Sequence, residues 1–426
     1  MPKIRLLTTL MLLFLSGELL SQQLDVLSYE ATIEPDISAK SIKGSVLIKY
    51  SLPLSENSFE LESGNLEVIK VEGAHVKAFE NTRGKLQIQL QQRQATTGEI
   101  RIEYRGRPDR GLLFNQEKNQ AYTVYFTSSW MVNHFPVNDK ARINLNIVVD
   151  KDLDCIANGK LLDIEEKEGK NIYHWQQDFD SPAYTYGFTI GSFDKLELSV
   201  GETQVINYAK GYTADELKVI FRETASILSF MEDKSGIRFD YPSYSQVLIG
   251  NHFQEMSGFS VLRESYGRMI LKDSTETNLI SHELAHQWWG NRISCETWGD
   301  IWLNEGMATY LSAAYNLERF GRAKYKSDIN SYMRVYQDIK KRNKDKPLVF
   351  ENWLNPTADD RNLVYFKGAY VLHLLREELG NEAFWKGIKL YSQKHFDSSV
   401  STQDFKLAME EASGKKLNEF FNEWIF

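Results

Sequence analysis

The chain has 426 residues, of which 42% are hydrophobic and 25% charged, with a formal net charge of -8. That balance supports folded domains with buried cores and excludes a largely disordered chain. No basic stripe is present, which argues against a nucleic-acid partner, and the short cluster Lys340, Lys341, Arg342, Lys344, Lys346 reads as a solvated face.

In chain order, Lys3 and Arg5 precede an apolar run from Leu6 to Leu15. A positive start and an apolar core of about ten residues fit a secretory signal peptide over residues 1–22 and are too short to span a bilayer. Export to the periplasm or the exterior is therefore expected, with no membrane span in the mature chain. From about Leu24 to Val205 the hydrophobic period is mainly two. Val46, Ile48, Tyr50 alternate with polar residues, as do Leu86, Ile88, Leu90, then Ile100, Ile102, Tyr104, then Ile143, Leu145, Ile147, Val149. Gly84, Gly98, Gly159 and Gly169 punctuate these runs. Alternation with one wet face predicts an antiparallel all-β domain over 23–206.

The period then changes. Thr213-Ala214-Asp215-Glu216 is a capping-box signature opening a helix that runs toward Gly236. Further helices are expected over Asn278 to Trp289 with Gly290 as the stop, from near Asn304, from Tyr365 to Leu379 before Gly380, and from Thr402 onward with a break at Gly414. A mainly α domain over 207–426 follows. Cys155 and Cys295 are the only cysteines, too few for a disulfide framework. Both are expected as unpaired thiols, with a long-range disulfide left open in an exported chain.

The chemistry concentrates in the second half. His282-Glu283-Leu284-Ala285-His286 places two imidazoles four residues apart on one helical face, where both can reach one ion. Glu283 projects from a neighbouring direction and can take a proton from water as a general base. Glu305, in Asn304-Glu305-Gly306, offers a carboxylate at the start of the next helix. Two His and one carboxylate form a catalytic zinc set, so one Zn2+ per chain is expected on His282, His286 and Glu305. Trp288, Trp289, Trp298 and Trp302 read as core packing around that site. His75, His134, His174, His373 and His395 have no ligand spacing.

The stretch His282 to Asn291, together with Trp302-Leu303-Asn304-Glu305-Gly306, resembles the M1 gluzincin aminopeptidases. Phe135-Pro136 and Lys140-Ala141 resemble that family's saddle-like β domain, and Phe420-Phe421-Asn422-Glu423-Trp424 the close of its thermolysin-like catalytic domain. The resemblance covers essentially the whole mature chain. It implies a zinc aminopeptidase acting on peptide substrates. Tyr365, in Tyr365-Phe366-Lys367-Gly368-Ala369, is similar to the family's Tyr that donates to the developing oxyanion. Glu255, in His252-Phe253-Gln254-Glu255-Met256, stands where the family motif Gly-Ala-Met-Glu-Asn holds the substrate's free α-amine. Only that Glu and nearby Gly258 are kept from the motif. The family's second amine-contacting Gln or Glu has no equivalent in Phe126-Thr127-Ser128-Ser129-Trp130. Many members continue into a helical domain that covers the site. Here the sequence given stops at Phe426, so a more open site or one covered by a second copy is expected. Two other readings stay open: a zinc endopeptidase or narrow-specificity peptidase, and a non-catalytic peptide-binding protein of the same fold.

Overall fold

The alternating runs of the first half all become strands, and every apolar residue named in them is buried. The computed structural model describes residues 24–350, 353 and 356–426; the expected signal peptide over 1–22 lies outside them. A seven-stranded sheet has the order Lys160–Lys167, Lys170–Pro182, Lys140–Asp150, Asp25–Asp36, Ser41–Ser51, Thr97–Gly106, Glu67–Glu72. Its neighbours are antiparallel except for Asp25–Asp36, which runs parallel to Lys140–Asp150. A four-stranded sheet and a three-stranded sheet complete this β domain, and one hydrophobic core runs through it.

The topological break falls earlier than alternation suggests. Strands Asp194–Val200 and Thr203–Ala209, which the period-two reading assigns to the β domain up to 206, pair onward with Ser243–Leu248 and Phe259–Leu262 in a separate sheet. Alternation identifies a strand but carries no information about which sheet it joins. One face of this second sheet supplies Val205, Tyr244 and Leu248 to the helical core. The other supplies Tyr208, Val247 and Val261 to the β-domain core.

Eleven α-helices are described: α1 Ala214–Ile220, α2 Thr224–Ser235, α3 Ser265–Lys272, α4 Asn278–Ala285, α5 Trp302–Phe320, α6 Arg322–Lys341, α7 Ala358–Asn362, α8 Gly368–Leu379, α9 Asn381–Lys394, α10 Thr402–Ser413 and α11 Asn418–Trp424. Thr213 and Ser401 cap α1 and α10 through reciprocal capping boxes, and Gly236 and Gly414 end α2 and α10 in left-handed conformation. The helix expected over 278–289 stops at Ala285. Three bonds turn the chain back at once: Asn291 N–H to His286 O, Ile293 N–H to Trp288 O and Gly290 N–H to Ile293 O. No described helix is long and apolar enough to cross a membrane. Cys155 and Cys295 are free, buried thiols.

Helix α5 is buried along most of its length and crosses α8 at two glycines. A Cβ on Gly306 would lie 3.0 Å from Gly368 Cα and 3.1 Å from Val364 O, and a Cβ on Gly368 would lie 3.0 Å from Gly306 Cα. This backbone contact sets how near Glu305, on α5, comes to Tyr365, one turn before α8. Gly306→Ala tests it with two opposing effects. Alanine gains about 1 kcal/mol of helix propensity. Overpacking at a backbone contact costs about 1–3 kcal/mol. The expected result is net destabilisation, read as a lower denaturant midpoint at unchanged slope. A variant as stable as the parent would mean that the helices part freely.

Candidate active site

His282 lies in the last turn of α4, His286 is the residue that caps its C-terminus, and Glu305 lies in the first turn of α5. The two imidazole Nε2 atoms lie 2.9 Å apart. Glu305 Oε2 lies 3.4 Å from one and 3.3 Å from the other. A tetrahedral zinc with bonds of about 2.0–2.2 Å needs ligand atoms roughly 3.3–3.6 Å apart. The carboxylate distances match, and the imidazole pair is slightly tight. The tautomers also fit. His286 Nδ1 sits 2.9 Å from Trp289 O, which can only accept, so Nδ1 is assigned the proton and Nε2 presents a lone pair. His282 Nδ1 is 3.3 Å from Thr309 Oγ1. Glu305 Oε2 is buried with no hydrogen-bond partner. Lone pairs converging on one point are what a cation requires.

The glycine in the histidine stretch has a local reason. Gly290 has φ +137°, and a Cβ there would lie 2.8 Å from His286 Nδ1. Asn304, beside Glu305, is fixed by accepting from Cys295 N–H at 3.1 Å and donating to Tyr184 Oη at 3.2 Å. Tyr184, from the β domain, in turn donates to Gly290 O at 3.0 Å.

Three carboxylates share the site. Burial alone would raise Glu305, but His286 and His282 hold it down at about 2. Burial pushes Glu283 well above the carboxylate range, and Glu255 adds to this. Glu283 Oε2 is buried without a partner. Burial raises Glu255 to about 7, with His286 opposing and Glu305 assisting. Burial would lower His286, yet Glu305 and Glu255 push it up to about 10. The cluster demands positive charge.

Tyr365 lies on a π-helical turn, Leu363–Lys367, and stacks on His282 with centroids 5.6 Å apart and planes 9° from parallel. Such turns widen a helix locally and reorient a side chain. Lys367 anchors the turn by donating to Asp345 Oδ1 and Lys346 O, each at 2.8 Å. Burial, then Glu305 and Glu255, holds the Tyr365 hydroxyl well above its usual pKa, so it stays a donor.

Glu255 is 8% exposed on a loop braced by Gln287. Gln287 Oε1 accepts from Gly258 N–H at 2.9 Å, and Nε2 donates to Met256 O at 3.1 Å. From the β domain, Asn158 Nδ2 donates to Ser257 O at 2.9 Å. Sequence reasoning missed Gln287, Thr309 and Tyr184. Gln287 lies inside the motif stretch and could have been asked for a role; the other two show no local pattern. Trp288, Trp289 and Trp302 are buried, and their ring N–H groups are satisfied by Ile237 O, Ser392 Oγ and Thr402 Oγ1.

The structure thus brings His282, Glu283, His286, Glu305, Glu255 and Tyr365 into one neighbourhood. Compared with known proteins, residues 26–185 match the peptidase M1 N-terminal domain, and residues 220–424 match the peptidase family M1 domain. The chain is 27% identical over 421 residues to probable aminopeptidase 2 of Sulfurisphaera tokodaii, covering 93% of this chain and 53% of that protein. It is 25% identical over 303 residues to aminopeptidase N of Escherichia coli, covering 66% of this chain and 34% of that protein. The chain spans about half the length, or less, of the curated relatives it matches. Its fold is similar to the M1 zinc metallopeptidase of Deinococcus radiodurans, with a TM-score of 0.78, 21% identity, and 95% and 93% of the two chains covered. Both domain matches place the chain in peptidase family M1, to which it belongs.

Proposed function

We propose that the chain is a zinc-dependent aminopeptidase that hydrolyses the N-terminal peptide bond of peptides. One observation carries this reading: the buried Glu255 lies on the loop that Gln287, next to the ligand His286, braces at Met256 and Gly258, so an N-terminal ammonium would be held beside the ligand set. The relatives named as aminopeptidases support it. His282, His286 and Glu305 would hold the zinc, which when bound supplies Lewis-acid polarisation of the scissile carbonyl and acidifies water. Glu283 Oε2, free of other partners, takes the proton of the attacking water and returns it to the leaving amine nitrogen. The Tyr365 O–H donates to the carbonyl oxygen as negative charge develops there. Glu255 accepts from the substrate ammonium and fixes the cut after the first residue. The charged start and apolar run at Lys3–Leu15 support export of the chain.

Endopeptidase action is favoured by one feature, the loss of all but Glu and Gly from the motif around Glu255. Matched free and N-acetylated peptides separate the two: the aminopeptidase cleaves the free form far faster, and equal rates would point to an endopeptidase. Glu283→Gln should retain one zinc per chain by metal assay while kcat falls by at least about 10²–10⁴. Retained turnover would remove Glu283 from the chemistry. Tyr365→Phe should lower kcat by about 10²–10³ with KM little changed. A rise in KM alone would instead make Tyr365 a ground-state contact.

A further inference from the structure

Tyr125, on the turn that follows strand Gln120–Thr123, has φ +57°, the left-handed region that aromatic residues rarely adopt. Held this way, it grips the Glu255 segment from the β domain at two points. Its backbone N–H donates to Gln254 Oε1 at 3.1 Å, and its hydroxyl donates to Phe253 O at 3.1 Å. Gln254 Nε2 then donates to Glu255 Oε2 at 2.9 Å. The amide orientation is determined, because a backbone N–H can only donate and so must face the amide oxygen, leaving the NH2 for the carboxylate. Gln254 is 1% exposed, so bulk water does not compete for these bonds. Its backbone is locked by reciprocal 3.0 Å bonds with Val261.

Nothing in the proposed chemistry uses Tyr125 or Gln254. A strained backbone conformation persists only where its surroundings enforce it, and such residues cluster at functional sites. The motif that this segment resembles carries Met at position 254, which has no N–H to give Glu255 and offers Tyr125 only a weak acceptor. Its second amine-contacting residue has no counterpart in 126–130. A charge-assisted bond from Gln254 occupies one oxygen of Glu255 and fixes the carboxylate's direction, leaving the other oxygen for a ligand. Glu255, Glu283 and Glu305 all raise the Tyr125 hydroxyl after burial, so the residue faces the same charged space. The residue remains 41% exposed, which leaves it free to border a substrate.

We propose that Tyr125 and Gln254 form an interdomain clamp that positions the Glu255 carboxylate for the substrate's ammonium group and so sets the preference for free N-termini. The proposal rests on the aminopeptidase reading. Its test compares the parent chain with Glu255→Gln, Gln254→Met and Tyr125→Phe on aminoacyl amides, with kcat and KM resolved and zinc content and thermal midpoint measured. Glu255→Gln should raise KM most. Gln254→Met, similar in size but with no amide, should raise KM roughly tenfold, and Tyr125→Phe roughly threefold. In both clamp variants kcat should change less than KM, with zinc retained. If Glu255→Gln leaves KM unchanged, Glu255 is not the amine site and the clamp falls with it. If Glu255→Gln raises KM while both clamp variants match the parent, or lose kcat at constant KM, the clamp alone is overturned. Should Gln254→Met lose zinc or fold poorly, Tyr125→Phe, which removes one oxygen from a half-exposed ring, decides the matter.

Discussion

Three carboxylates and two imidazoles occupy a space that solvent barely reaches. Glu255, Glu283 and Glu305 are 8%, 1% and 7% exposed, and His286 is 1% exposed. Like charges this close in a poorly solvated site repel strongly unless positive charge joins them. The shifts show how the protein alone divides that load: Glu305 stays ionised against the imidazoles, and Glu283 is pushed toward its neutral form. Helix ends add to the same field. The two histidines sit at the negative end of α4, where a cation is favoured, and Glu305 sits in the first turn of α5, whose positive end favours a carboxylate.

Holding such a cluster together is the task of the scaffold around it. Gly290 leaves room for the His286 ring, and Gly306 against Gly368 brings the Glu305 helix to the Tyr365 turn. The β domain is part of this scaffold. Tyr184 ties Gly290 to Asn304, and Lys140 donates to Arg292 O and Ser398 O at 2.9 Å each. Asn158 bonds the loop behind Glu255. The second sheet buries one face in each core, so the two domains share a wall. A site assembled across that wall keeps its geometry only while the domains stay in register.

How much of this could be read from the sequence depended on the range of the interaction. Strand alternation at Val46–Tyr50 or Ile143–Val149, and capping at Thr213, are local and were legible. The ligand set was legible because two ligands share one helical face and the third opens the next long helix. The sheet membership of Asp194–Ala209 was not, because pairing partners lie far along the chain. The early end of α4 was hidden because backbone bonds from residues 290–293, rather than propensity, terminate it. Tyr125 was invisible for two reasons: its bond to Gln254 spans 129 positions, and no composition rule places an aromatic residue at positive φ. The π-helical turn under Tyr365 likewise packs against α5 and α6, which are other elements of the chain.

Charge counting links the metal site to the choice of substrate. The cluster carries three carboxylates, and its two imidazoles are neutral when they act as metal ligands. A divalent cation leaves one negative charge uncompensated in a buried space. In the metal-free protein, burial raises Glu283 and Glu255 toward their neutral forms, so a proton on either offsets part of the repulsion. A general base must be free of that proton to act. On the proposed aminopeptidase reading, an N-terminal ammonium at Glu255 would bring the positive charge that the carboxylates lack. A peptide with a blocked terminus would bring no such charge. On the proposed reading, discrimination against blocked peptides would draw on the charge balance of the whole cluster as well as on the ammonium contact itself.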